Sequence, residues 1–325
     1  MADGDGSQSG TTWLPCNGSQ SGNLAKLLLS GTYLRKTIST LPDLLVKNFS
    51  RTTMPLIEKF LWKFGLKGPI PSPPYRPHPR GPYAALHDLP RHQRTSVKLL
   101  DHTFEVADGF SFYWMHQEIF CDQVYAFKPS DREVNIIDCG GSYGVSALYF
   151  KSSYPDSKIT VVEADPVIFS ILSSNINNTG YDGITLLNRV VGPESGQMAQ
   201  FYPLGADLGR IHSGNIEIPS KSIPTICLDD LIKTKTDFLK IDIEGAETDV
   251  LSTSKKLNLV DHLFVEYHSF EDTDQTLVDL LEILRENGFR YYIKTVFTPS
   301  NPFVKRQSNH GMDLQLGIYA NRSHK

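Results

Sequence analysis

The sequence predicts a doubly wound α/β fold that begins near residue 131. From there short apolar runs alternate with helical stretches, the pattern of successive βαβ units. The first run ends in a glycine-rich turn, Ile136-Ile137-Asp138-Cys139-Gly140-Gly141-Ser142-Tyr143-Gly144. Acids recur where later runs end: Glu163, then Asp242 and Glu244, then Glu266. In an open α/β sheet such ends lie at the carboxyl edge, where ligands bind.

Strands are expected near 134–139, 159–164, 184–191, 237–243, 262–268, 289–295 and 313–319, and helices over 144–153, 166–178, 245–253 and 274–287. Between the third and fourth parallel strands lies a long excursion, 192–236, with an extra strand pair near 197–203 and 222–228. Ahead of the core, residues 101–127 alternate enough to suggest strands. They carry an aromatic cluster, Phe110, Phe112, Tyr113 and Trp114, expected to cover a pocket as a hairpin or helix–strand unit.

The N-terminal part is of a different kind. Residues 1–23 are rich in Gly, Ser and Thr and read as disordered. Residues 24–67 read as amphipathic helices, with Leu56, Ile57, Phe60, Leu61 and Phe64 on one face and Lys59, Lys63 and Lys67 on another. That extension suits a cap on the main domain, or peripheral contact with an acidic membrane surface or carrier protein. The proline-rich stretch 68–83 can be neither helix nor central strand. Residues 1–70 are therefore expected to form a tail and helical extension, and residues 71–325 the main domain, with its core at 131–320.

Charge follows the same division. Residues 1–100 hold 13 Lys/Arg against 5 Asp/Glu, which leaves the remainder at about −12 of a total of −4. An acidic main domain is a poor surface for phosphate, so no nucleic-acid partner is expected. No apolar run reaches the roughly 20 residues of a spanning helix. The first 23 residues lack the basic start and apolar core of a signal peptide. Cys16, Cys121, Cys139 and Cys227 have neither zinc-knuckle nor redox-pair spacing. Reduced thiols and a cytoplasmic location are the expectation.

The turn at 138–144 holds the first chemistry. Glycines let the backbone bend sharply and approach a ligand, and the following helix offers free N–H groups. The spacing is not G-x-G-x-x-G, and Asp138 stands directly before the glycines. A carboxylate there repels a pyrophosphate and attracts a cationic methionine head. The expected cofactor is thus S-adenosylmethionine rather than a dinucleotide, held by Asp138, Gly140, Gly141, Ser142 and Gly144. Glu163, 25 residues on, is placed to accept from two ribose hydroxyls. Asp165 before Pro166 reads as a helix N-cap.

The fourth parallel strand runs Phe238-Leu239-Lys240-Ile241-Asp242-Ile243-Glu244-Gly245. Lys240, Asp242 and Glu244 share a face, costly to bury unless the charges pair or bind something. Asp242 and Glu244 are expected at the cofactor. The fifth strand brings Glu266 and His268 to the same edge.

Motifs of this kind in this order resemble the FkbM family of methyltransferases over roughly residues 105–295. The most specific element is Lys240-Ile241-Asp242-Ile243-Glu244-Gly245-Ala246-Glu247. The Asp138–Gly144 turn, Glu163, Leu172 to Asn175 and Thr225 to Leu231 support it. The resemblance implies a class I methyltransferase fold, Rossmann-like, with a seven-stranded sheet and one reversed strand. It also implies transfer to hydroxyl oxygens of natural products or sugars, as in secondary metabolite biosynthesis. Two departures stand out. Gly141 and Ser142 replace the usual Ala-Asn, and Glu163-Ala164 replaces Glu-Pro.

Methylation of an alcohol requires the proton to leave. The candidate catalytic residues are His268, Asp242 and Glu266, with His268 or Asp242 as the base and His212 as a second histidine within reach. No metal is expected. An acceptor pocket is expected from Phe112, Tyr113, Trp114, Phe201 and Tyr202. The alternatives are a non-catalytic cofactor- or partner-binding protein of the same fold, and a nucleic-acid methyltransferase.

Overall fold

The computed structural model describes residues 79–129, 133–203, 209–211 and 219–322. The chain divides after residue 78, and the architecture below belongs to the unit that follows. The expectations for residues 1–78 and for His212 lie outside the described residues.

A hairpin comes first, β1 (Thr95–Leu99) and β2 (His102–Val106), followed by α1 (Gly109–His116). The sheet strands then alternate with helices: β3 (Asn135–Cys139), α2 (Val145–Ser153), β4 (Lys158–Glu163), α3 (Pro166–Asn177) and β5 (Ile184–Asn188). The excursion contributes β6 (Val190–Val191), β7 (Met198–Phe201) and β8 (Lys221–Ile226), with β7 and β8 paired antiparallel as expected. It ends in α4 (Leu228–Leu231). There follow β9 (Thr236–Ile241), α5 (Glu247–Thr253), β10 (Val260–Phe270), α6 (Leu277–Glu286), β11 (Phe289–Phe297) and β12 (Met312–Arg322).

The main sheet has seven strands in the order β11-β12-β10-β9-β3-β4-β5. β12 runs antiparallel to both its neighbours, whereas the pairs among β10, β9, β3, β4 and β5 are parallel. One strand is therefore reversed. The chain winds outward from β3 to β5, then returns to β9 on the other side of β3. That reversal opens a crevice at the carboxyl ends of β3 and β9.

Strand periodicity feeds two cores. Ile136, Ile159, Val161, Phe238 and Phe264 face one side, packed with Leu148 and Tyr149 of α2 and Leu172 of α3. Ile137, Cys139, Val162, Leu239, Ile241 and Val265 face the other, against Val250, Leu280 and Leu284. Both faces of β3 and β9 are covered, which is why these strands read as continuous apolar runs.

Local signals set the helix starts. The Asp165 side chain accepts from Val167 N at 2.8 Å with Pro166 in the first turn, the cap expected from sequence. The segment ahead of the core forms a hairpin followed by a helix, and the aromatic cluster falls on the helix. Asp108 accepts from Ser111 N at 2.9 Å and starts a helix where alternation suggested strand. Phe112 and Tyr113 are buried, and Phe112 joins the first core.

Gly140 shows how tightly the crevice is built. Its φ is +93°, and an added Cβ would stand 1.9 Å from the backbone oxygen of Asp242. Gly180 has φ +70° with open space around it. Gly140→Ala is expected to cost more than about 3 kcal/mol, and Gly180→Ala about 1–2 kcal/mol. Thermal melts of the two variants check this, and equal shifts would contradict it.

Candidate active site

Lys240 stands at the centre of the crevice. It is 3% exposed, with Nζ 3.2 Å from Asp138 Oδ1 and 3.2 Å from Asp242 Oδ2. It also donates to the carbonyl of Gly140 at 2.7 Å. Burial lowers its pKa, but Asp138 and Asp242 more than offset this and hold it charged, well above the usual lysine value. Lys240 thus pins the turn after β3 to the segment after β9, and Asp242 N reinforces the join by donating to Cys139 O at 3.1 Å.

Asp138 is fully buried, paired with Lys240 and accepting from Ser146 Oγ. It does not line the cleft, and its carboxylate is taken up by Lys240 and Ser146. The glycines have a related role. A Cβ on Gly141 would meet Val161 at 2.1 Å, and one on Gly144 would meet Leu172 at 2.9 Å. Their close approaches are to the protein itself. Gly140 and Ser142 do face the cleft.

The cleft opens to solvent and spans about 780 Å³ with the open space at its mouth counted. Glu163 forms one wall, accepting from Ser142 N at 2.9 Å and Asp165 N at 2.8 Å. Burial pushes its pKa up to about 7, against the pull of those two N–H donors. Asp242 and Glu244 form another wall, and Met115, Ile168, Val191, Phe201 and Ile211 supply apolar surface. Of the expected acceptor-pocket aromatics only Phe201 lies on the cleft. Phe112 and Tyr113 are spent in packing, and Met115 is the cleft residue that α1 presents.

The hallmark turn is strained and strongly held. Glu244 has φ +57° and Gly245 φ +105°. Glu247 Oε1 accepts from Ile243 N at 3.3 Å and from Gly245 N at 2.9 Å, and lies 2.9 Å from His268 Nδ1. His268 Nε2 then faces Glu244 Oε2 at 3.8 Å and Asp242 Oδ1 at 4.0 Å. Burial lowers the His268 pKa, but Glu244 and Glu247 raise it further, so the net shift is well upward. One ligand atom each from Asp242, Glu244 and His268 lies within 4.8 Å of the others, close enough for a shared cation.

Glu266 accepts from Gln315 Nε2 at 2.7 Å, and Gln315 lies 3.4 Å from His268 Nε2. Neither Glu266 nor His268 lines the cleft. Burial and Asp242 raise the Glu266 pKa well above the carboxylate range and push that of Glu118 up to about 7. Sequence reasoning did not single out Glu118, Glu247, Gln315 or Arg210 as site residues. Glu247 sits inside the hallmark motif and could have been found. Glu118 and Gln315 arrive from elements on which no motif marks them.

This arrangement fits S-adenosylmethionine. Glu163 offers a ribose acceptor, Asp242 and Glu244 offer anions to an ammonium, and Ser142 Oγ is buried without a hydrogen-bond partner. Residues 138–291 match the family profile described as the methyltransferase FkbM domain. That match holds the Asp138–Gly144 turn, Glu163 and the Lys240–Glu247 motif. The FkbM domain is S-adenosylmethionine-dependent, and the site described above suits that cofactor.

Two fungal proteins are similar. "Methyltransferase 1" of Beauveria bassiana (strain ARSEF 2860) is 28% identical over 216 residues, 55% of this chain and 86% of that one. "Methyltransferase sdnD" of Sordaria araneosa is 30% identical over 105 residues, 30% of this chain and 40% of that one. Among solved structures, a SAM-dependent methyltransferase from Agrobacterium tumefaciens is 12% identical, with 73% and 72% of the two chains covered and a TM-score of 0.39. That likeness is too distant to bear on function. The strand order and single reversed strand of this chain carry the fold assignment. No helix among the described residues is long and apolar enough to cross a membrane.

Replacing Lys240 tests the central pairing. Lys240→Met leaves Asp138 buried without its cation and is expected to cost about 3–5 kcal/mol. Adding Asp138→Asn is expected to recover part of that loss, since it removes the uncompensated charge. Urea unfolding of both variants is the measurement.

Proposed function

We propose that this methyltransferase methylates a hydroxyl oxygen of a small molecule, a natural product or a sugar. The observation that carries the reading is the position of Asp242. It lines the cleft, pairs with Lys240, and stands 4.0 Å from His268 Nε2 at the carboxyl edge of the sheet.

Bound S-adenosylmethionine supplies an electrophilic methyl group. The protein's part is to align an acceptor oxygen with it and receive the proton, and alignment carries much of the rate gain. Asp242 is the proton acceptor in this reading, because it is the member of the proposed set that faces the cleft. His268, held by Glu247, is charged at neutral pH in the free protein and serves to orient Asp242 and Glu244. Glu266 acts on the same histidine through its charge. Glu163 takes the ribose hydroxyls, while Gly140 and Ser142 shape the floor. Proposals for the domain limits remain a main domain from about residue 71 and an extension before it.

The test is transfer from labelled S-adenosylmethionine to a panel of hydroxylated glycosides and phenols. The expected product is an O-methyl ether by NMR, and an N- or C-methyl product would overturn the reading. On the acceptor so found, Asp242→Asn is expected to lower kcat by about 10²- to 10⁴-fold.

The Glu163 assignment has its own pH signature. A ribose hydroxyl donates better to a carboxylate than to a carboxylic acid, and Glu163 titrates at about 7 in the free protein. Affinity for S-adenosylhomocysteine is therefore expected to rise between about pH 6 and about pH 8. Calorimetry of Glu163→Gln should show weaker binding without that rise.

A further inference from the structure

Arg210 comes from the excursion between β7 and β8, a region to which the mechanism above gives no role. It is 7% exposed, and its Nε is buried with no hydrogen-bond partner. It makes no ion pair among the described residues. Such a group is costly to bury unless something completes it.

Its placement is not loose. Arg210 and Tyr202 exchange backbone hydrogen bonds at 2.8 and 3.2 Å. The Phe201 ring packs so closely on Gly209 that an added Cβ there would stand 2.3 Å from it. The guanidinium lies 4.3 Å over the Phe270 ring, and Phe270 in turn abuts Gly245 of the hallmark turn. Arg210 therefore reaches the cleft beside the Asp242–Ala246 segment.

The charge pattern of the cleft shows what is missing. Its wall offers carboxylates in Glu163, Asp165, Asp242 and Glu244, and arginines in Arg189 and Arg210. Arg189 is exposed, beside Asn188 at the Glu163 end. The methionine end of S-adenosylmethionine is a zwitterion. Asp242 and Glu244 complement its ammonium, and its carboxylate requires a cation on the same side. A guanidinium fork matches a carboxylate in shape as well as sign.

We propose that Arg210 anchors the methionine carboxylate of the cofactor. This rests on the S-adenosylmethionine assignment. The test is calorimetric titration of the full chain with S-adenosylhomocysteine, which has the amino-acid tail, and with 5′-methylthioadenosine, which lacks it. Arg210→Met is expected to weaken the first by about tenfold or more and leave the second unchanged, with Arg210→Lys between the two. Unchanged S-adenosylhomocysteine affinity in Arg210→Met would overturn the proposal and leave a carboxylate on the acceptor as the ligand. Equal loss of both compounds would also overturn it, since Arg210 would then act through packing on Phe270. Failure of the unmodified chain to bind either compound would remove the cofactor assignment, and this proposal with it.

Discussion

A single buried ammonium organises the catalytic edge of this protein. Lys240 touches Asp138 at the tip of β3, Asp242 after β9 and the carbonyl of Gly140 between them. Without that cation, two carboxylates would face each other across the switch point of the sheet. With it, the turn after β3 can sit against the hallmark turn so closely that Gly140 has no room for a side chain. The glycine and the lysine are two halves of one constraint. Charge brings the loops together, and the missing Cβ lets them meet.

A second anchor works on the far side of Asp242. Glu247 is 1% exposed, yet its carboxylate accepts from two backbone N–H groups of the turn and meets His268. Those bonds hold Glu244 and Gly245 at positive φ, a conformation that a non-glycine residue adopts only under external restraint. The turn is therefore shaped from behind by a helix residue and from beside by a lysine. Asp242 and Glu244 are left to face the cleft.

How much of this was legible follows from which forces are local. The strand and helix order, the extra strand pair and the Asp165 cap were readable, because periodicity and capping act within a few residues. The recognisable motif supplied Asp242, Glu244 and Glu163 at the cleft. Asp138 was legible as a functional acid but not as a buried one, since its burial depends on Lys240 reaching across from another strand. The turn glycines were read as room for a ligand, yet their neighbours are Asp242, Val161 and Leu172, from three separate elements. Phe112 and Tyr113 alternate like strand residues, and only the Asp108 cap turns them into a buried helix. Glu118, Gln315 and Arg210 arrive through tertiary packing that no sequence pattern announces.

The acids at this edge also explain why the site suits a cationic donor. Glu118, Asp242, Glu244 and Glu266 influence one another, with Lys240 and His268 as the buried positive groups among them. Burial is the larger cause of the upward shifts of Glu118 and Glu266, and the charge of Asp242 adds to it. A cationic donor entering the cleft would meet the carboxyl groups of Asp242 and Glu244 on its wall. A pyrophosphate would meet repulsion instead. The attraction of these carboxyl groups for a bound sulfonium would be lost with its charge, so a neutral thioether product would be held less firmly on electrostatic grounds alone. Attraction of the donor and release of its product would thus both rest on one arrangement of carboxyl groups, fixed by Lys240 on one side and Glu247 on the other.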